Sequence, residues 1–281
     1  MNSTTNEIGE SGRSTTSNRE IAIEDLTKTY SAETSSAVEA LGGIDLTVSD
    51  GEFLSIVGPS GCGKSTLLDI VAGLVPKSTG SVRIGDREVT GPRPEIGVVF
   101  QEYSLYPWRT VTRNAEFGLE IMDIDKEERR SRTQEMLDLV GLNGFEDAYP
   151  NELSGGMQQR VALARTLAAD PDILLMDEPF GALDEQTRMY MGEELLHIWS
   201  ETDKTVVFIT HSLQESVLLS DRVAVMSDRP GTIRELIDID LERPRNTDII
   251  GTESFNRSQA RIWKLIKETG SGPQTADREH V

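Results

Sequence analysis

The chain has 281 residues and carries 48 acidic against 28 basic side chains, a net charge of −20 that repels phosphate backbones and excludes nucleic acid as a main partner. One cysteine, Cys62, excludes an internal disulfide and any cysteine-built metal site. No apolar run reaches the roughly eighteen residues that a membrane helix needs, and 37% hydrophobic with 27% charged residues is the balance of a soluble globular protein. The acid excess reads either as a strongly solvated acidic surface or, with seven lysines among the 28 basic residues, as the composition of a protein that works at high salt. Residues 1 to about 19 are polar, lack the apolar stretch of a signal peptide and read as a disordered tail, so a cytoplasmic location is expected.

Alternating apolar residues in "IAIEDLTKTY" (21–30) predict a strand, and "LGGIDLTVSDGEFLSIVG" (41–58) predicts two more around an Asp-Gly turn. Helical spacing begins at "KSTLLDIVAGL" (64–74), where Leu67, Leu68, Val71 and Leu74 share a face. The region from about 104 to 165 is mostly helical, with an amphipathic segment at 126–142 and another at 155–170. The apolar runs "DILLM" (172–176) and "TVVFIT" (205–210) read as buried parallel strands flanking a helix at about 185–201. Residues 222–241 predict a hairpin turning at Arg229–Thr232, and 253–268 a short amphipathic helix before a polar tail. There is no internal repeat.

Chemistry concentrates first in "GPSGCGKST": Gly58, Pro59, Ser60, Gly61, Cys62, Gly63, Lys64, Ser65 and Thr66. Its glycines let successive N–H groups turn inward at phosphate oxygens, Lys64 suits the β- and γ-phosphates, and the Ser65 hydroxyl suits Mg²⁺. Strand, glycine turn and helix supply the context that such a loop requires. Cys62 within it reads as a small tolerated side chain. "DILLMDEP" adds Asp177, a second Mg²⁺ ligand through water, and Glu178, which can orient or activate an attacking water. Adjacent acids at a strand end are otherwise simply solvated, and the phosphate loop decides between the two readings. His197, in an apolar helical stretch, reads as a packing residue, and His280 lies in the tail without an assignment.

A second glycine turn, "LSGGMQQR" (153–160), has no lysine and no metal pair. With this turn the chain resembles the ATP-binding subunits of ABC transporters over residues 21 to about 240. The resemblance implies a P-loop NTPase of the α/β class: a RecA-like core with a mixed sheet, an N-terminal antiparallel β subdomain and an inserted helical subdomain. It implies an ATP-binding domain over residues 20–245, its helical part at about 104–165, followed by a C-terminal helix and tail over 246–281. ATP and Mg²⁺ are the implied ligands, and ATP hydrolysis the activity. Gln101 matches the glutamine that reaches Mg²⁺ and the attacking water, and His211 the switch histidine. "GALD" (181–184) matches a loop whose Asp184 couples the two sites of a dimer. Tyr30 lies where the family stacks an aromatic on adenine, although a strand-end aromatic also packs structurally.

The missing lysine implies a partner. In a two-fold head-to-tail homodimer formed with ATP, Ser154, Gly155 and Gly156, with Gln158 beside them, face the other subunit's nucleotide. Further implied partners are separate membrane permease subunits and, indirectly, an extracytoplasmic solute-binding protein, with the chain peripheral on the cytoplasmic membrane face. "QEYSLYPWRTVTRN" (101–114) presents Tyr103, Leu105, Tyr106 and Trp108, which either form a docking groove for a permease helix or pack the helical region. Residues 91–120 are similar to the ATPases of nitrate, sulfonate and taurine importers, so an oxyanion is the expected solute. A soluble iron–sulfur assembly ATPase of the same superfamily is the alternative.

Overall fold

The computed structural model describes residues 19–30, 37–202 and 204–269. Its ten strands run β1 Ile21–Tyr30, β2 Val38–Val48, β3 Phe53–Val57, β4 Thr79–Ile84, β5 Arg87–Glu88, β6 Ile96–Val99, β7 Ile173–Asp177, β8 Thr205–Ile209, β9 Arg222–Met226 and β10 Ile233–Asp238. The helices among the described residues are α1 Lys64–Val71, α2 Val111–Ala115, α3 Phe117–Ile121, α4 Lys126–Leu139, α5 Gly155–Ala168, α6 Glu185–Thr202, α7 Leu213–Leu219 and α8 Glu253–Thr269, with 3₁₀ turns at Pro150–Glu152 and Thr247–Ile249. None of them is long and apolar enough to cross a membrane.

Two sheets share the core. The first is antiparallel, in the order β2-β1-β4-β5; the second is mixed, in the order β10-β9-β3-β8-β7-β6, with only β10 antiparallel. Strand β3 shows why its run carries no polar alternation. Phe53 and Val57 join one hydrophobic cluster with α5, α6, α7 and α8, while Leu54 and Ile56 join a second with the antiparallel sheet and α1. Both faces are buried, which is the condition for a continuous apolar strand. The polar exception, Ser55, is hydroxyl-paired with Ser220.

Element limits differ from the sequence expectation where glycine decides. Helix α1 stops at Val71 because Gly73 adopts φ +74 and lies so close to Gly91 that a Cβ would meet its carbonyl oxygen at 2.2 Å. Strands β4 and β5 and helix α7 are additions to the elements expected from the sequence. One expectation fails: His197 is exposed and faces Glu201 at 3.8 Å, because α6 turns Met191, Leu195 and Leu196 inward and His197 outward. Arg19 is ion-paired with Asp50 at 2.7 Å. The predicted tail up to residue 18, and His280 with the tail from residue 270, lie outside the described residues.

The registers of the mixed sheet bring distant segments together. Ile56 lies opposite Ile209 and Ala224, Asp177 opposite Ile209, and Val99 opposite Met176. The carboxyl ends of β3, β6, β7, β8 and β9 therefore open along one edge, where ligands bind in α/β sheets.

Candidate nucleotide site

A cleft of ≈ 440 Å³ lies at that edge, lined by Tyr30, Val38 and Ala40 on one side, by Ser60, Gly61 and Gly63–Thr66 beneath, and by Gln101, Glu178 and Arg229 around the rest. Gly61 has φ +75 and Gly63 φ +110, conformations open to glycine and costly for other residues. At Gly63 a Cβ would also stand 2.7 Å from the Leu41 side chain and 2.8 Å from the Ala40 carbonyl oxygen. The backbone thus curls into a cradle that side chains would fill, leading into α1 at Lys64, and the first amides of α1 point at whatever occupies it.

Lys64 is buried and donates from Nζ to the carbonyls of Gly58 and Pro59, both at 3.0 Å. Cys62 is buried behind the loop, and burial pushes its thiol up, so it is not a reactive thiolate. Tyr30 stands 41% exposed at the end of β1. The ammonium of Lys28 lies 4.6 Å from its ring centroid and is itself held by the Pro76 carbonyl at 2.7 Å. The phenol is thereby oriented as a half-exposed aromatic wall.

Below the cradle, Asp177 ends β7 almost buried, with the Ser65 hydroxyl beside it. Burial pushes its carboxyl up and the neighbouring Glu178 charge adds to this, against Ser65 and Lys64. A carboxylate and a hydroxyl are hard oxygen donors, and no three His, Cys, Asp or Glu side chains gather into a metal cage among the described residues. Two protein oxygens with substrate phosphates and water completing the sphere is the way Mg²⁺ is usually held.

Glu178 adopts φ +48, an uncommon conformation for a non-glycine residue. Its N–H donates to the Ile209 carbonyl at 2.9 Å, and its carbonyl accepts from the Gln159 amide at 3.1 Å. Its carboxylate lies 3.2 Å from His211 Nδ1, and the imidazole is exposed. Behind this pair, Thr210 donates to the Glu215 carboxylate at 2.5 Å, and Arg188 lies 3.5 Å from Glu215 while donating to the Leu183 carbonyl at 2.9 Å.

The remaining expected residues lie outside this cleft. Ser154 caps α5 by accepting from the Met157 N–H at 3.3 Å, and both Ser154 and Gly155 are exposed. Gln158 donates to the carbonyls of Pro150 and Leu153 at 2.9 and 3.2 Å, closing the turn that precedes them. Asp184 caps α6 through the Thr187 N–H and hydroxyl at 3.0 and 2.7 Å, contacts that pull its carboxyl below the ordinary value. Of the expected docking residues, Trp108 is 71% exposed, whereas Leu105 packs on the core and Tyr106 packs on Phe117, ring centroids 4.5 Å apart and planes tilted by 56°.

The ABC transporter family profile matches residues 41–181, the span from β2 through the turn after β7. The chain belongs to that family. An uncharacterised ABC transporter ATP-binding protein of Methanocaldococcus jannaschii is 52% identical over 248 residues, covering 88% of this chain and 91% of that protein. The nitrate import ATP-binding protein of Synechocystis is 47% identical over 264 residues, covering 93% and 98%. A dimeric bacterial ABC transporter cassette superposes with a TM-score of 0.73 at 35% identity, covering 79% of this chain and all of that one. The same cassette bound to ADP and phosphate after hydrolysis gives 0.72. This ABC cassette is therefore an ATPase of the P-loop NTPase fold, with ATP as substrate and Mg²⁺ as metal. Two residues at or behind the cleft, Arg229 and Glu215, were not among those expected from the sequence. A Ser-x-x-Glu pattern at Ser212–Glu215 is a local signal for the second; the first has none.

Proposed function

We propose that this cassette is the ATP-hydrolysing subunit of an importer for a small oxyanion, working as an ATP-dependent homodimer on a separate permease at the cytoplasmic membrane face. Likeness to import ATPases along nearly the whole chain carries this reading. The nitrate import protein is joined by an aliphatic sulfonates import protein of Bacillus thuringiensis, 40% identical over 89% of this chain, and a bicarbonate transport protein of Synechococcus elongatus, 43% identical over 88%. Trp108, exposed beside the segment that follows Gln101, suits contact with a permease helix. A solute-binding protein outside the membrane would then set substrate choice.

In this reading residues 20–245 form the ATP-binding domain, with its helical part at about 104–165, and 246–281 an appended helix and tail. The amides of Gly58–Thr66 and the Lys64 ammonium hold the phosphates, and Tyr30 stacks on the base. Ser65, Asp177 and Gln101 hold Mg²⁺, which neutralises phosphate charge when bound. Glu178 accepts the proton of the attacking water, and His211, 3.2 Å away, holds that carboxylate in place. Ser154, Gly155, Gly156, Gln158 and Asp184 serve the partner's nucleotide, which fits the exposure of Ser154, Gly155 and Asp184 outside the chain's own cleft.

The decisive experiment is reconstitution of the chain in vesicles with the permease and binding protein encoded by neighbouring genes. ATPase stimulation by nitrate, sulfonates or bicarbonate, and none by sugars or amino acids, is the expected result. Stimulation by a soluble iron–sulfur scaffold, with no permease in the complex, would overturn the reading.

A further inference from the structure

The turn joining β9 to β10 resembles no nucleotide motif, yet it touches both walls of the cleft. On one side it extends β2: Gly231 donates to the Ala40 carbonyl at 2.9 Å and accepts from the Gly42 N–H at 3.0 Å. On the other side Arg229 donates from Nε and Nη2 to the Gly61 carbonyl at 3.1 and 2.7 Å. Gly231 approaches the phosphate loop so closely that a Cβ would lie 2.1 Å from the Cys62 carbonyl oxygen. The turn thus bridges the wall bearing Ala40 and the loop bearing Gly61, and the side chain of Arg229 lines the space between them.

Two physical arguments give this bracket a purpose. A phosphate cradle works when its amides point inward, which turns its carbonyls outward and leaves them needing donors. Lys64 holds those of Gly58 and Pro59, and Arg229 holds that of Gly61 from outside the loop. The second argument is charge. The chain carries −20, and the cations lining the cleft are Lys64 and Arg229, set against Glu178. A guanidinium at the rim offsets the repulsion that a polyanionic nucleotide meets on approach.

We infer that the Asp228–Thr232 turn is a third wall of the nucleotide site. Arg229 is its positioning residue, fixing the phosphate loop through Gly61 and raising affinity for the nucleotide polyphosphate. This rests on the reading of the cleft as the ATP site.

The test is steady-state MgATP hydrolysis by the full chain, with the MgATP- and MgADP-induced rise in Tm as a binding readout. Arg229→Ala raises KM about tenfold, the scale of a lost charge-assisted bond, and leaves kcat within about twofold. Arg229→Lys restores the charge without the fork and recovers about half of that change on a logarithmic scale. Gly231→Ala, which keeps Arg229 but pushes the turn from Cys62, shifts KM in the same direction. A KM for Arg229→Ala within about 1.5-fold of the parent, or a fall in kcat alone, overturns the inference by reducing the turn to a scaffold role. Should Arg229→Ala fail to fold, Arg229→Lys decides, with an unchanged KM as the refuting outcome. Lys64→Ala separates the premises. Parental MgATP binding by that variant sinks the cleft reading itself, whereas lost binding beside an unaffected Arg229→Ala sinks only this inference.

Discussion

Replacing Gln159 by leucine tests whether one buried amide holds the hydrolytic segment in place. Gln159 is 2% exposed on α5; its amide donates to the Glu178 carbonyl at 3.1 Å and accepts from the Ala182 N–H at 3.2 Å. Leucine nearly matches its volume and helix propensity but supplies neither bond. The Glu178 carbonyl keeps a second donor, the Gly181 N–H at 3.0 Å, so the Ala182 N–H is the group left without a protein partner, at about 1–3 kcal/mol. The apolar side chain returns about 1–2 kcal/mol, leaving a net loss of at most about 2. Denaturant unfolding of the nucleotide-free chain, with and without the substitution, measures that loss directly. The same bond helps to keep Glu178 at φ +48, a conformation that costs about 1–3 kcal/mol and persists only when its surroundings impose it. ATPase assays should therefore show kcat falling by about tenfold while KM changes little, because the phosphate loop is untouched. Parental kcat in the substituted chain would refute the reasoning, whatever the change in stability.

Four further outcomes follow from the site and the surface. Glu178→Gln abolishes most hydrolysis but retains ATP, so size-exclusion chromatography with MgATP should show a dimer; a monomer under those conditions argues against the shared site. Tyr30→Phe keeps the parental KM for ATP while Tyr30→Ala raises it by about five- to a hundredfold, the scale of one base-stacking contact; equal behaviour of the two variants removes the stacking role. Burial pushes the Glu215 carboxyl above its ordinary value of 4.5, against Thr210, Arg188 and His211, so the folded state keeps that proton to higher pH than the unfolded state does. Stability of the parent therefore falls as pH rises through that window, and unfolding curves of Glu215→Gln should lack this slope; parallel pH profiles would contradict the assignment. Self-repulsion from the −20 charge is screened by salt, so Tm should climb between about 0.1 and 2 M KCl, and a flat response would count against a salt-adapted surface.

Features with a local signal are legible in the sequence alone. The phosphate loop, the apolar runs of β3, β7 and β8, and the glycine turn at residue 155 all announce themselves within ten residues. Strands β4 and β5 do not, because "TGSVRIGDRE" is polar at most positions: β4 becomes a strand by pairing with β1, more than fifty residues away, and β5 by folding back on β4. Helix α7 has only seven residues, too short for its period to stand out beside the strand that precedes it. His197 misleads because its neighbours Leu195, Leu196 and Ile198 are apolar, while its own position falls on the opposite face of α6. Arg229 is unreadable for a different reason. Its partner Gly61 lies 168 residues earlier, and only the register of β9 against β3 brings the two together.

That same sheet also settles a question of chemical identity. Asp177 and Glu178 are neighbours with the same functional group, differing by one methylene. Nothing intrinsic to either suits one to the metal and the other to the proton, the roles proposed for them above. The distinction comes from where hydrogen-bond pairing stops: Asp177 is the last residue in register with β8, and Glu178 is the first to leave it. A slip of β7 by one position would exchange their surroundings, sending one acid to the solvent and the other under Ser65. The division of labour proposed for two near-identical acids is thus written in the counting of strand pairs rather than in the acids themselves.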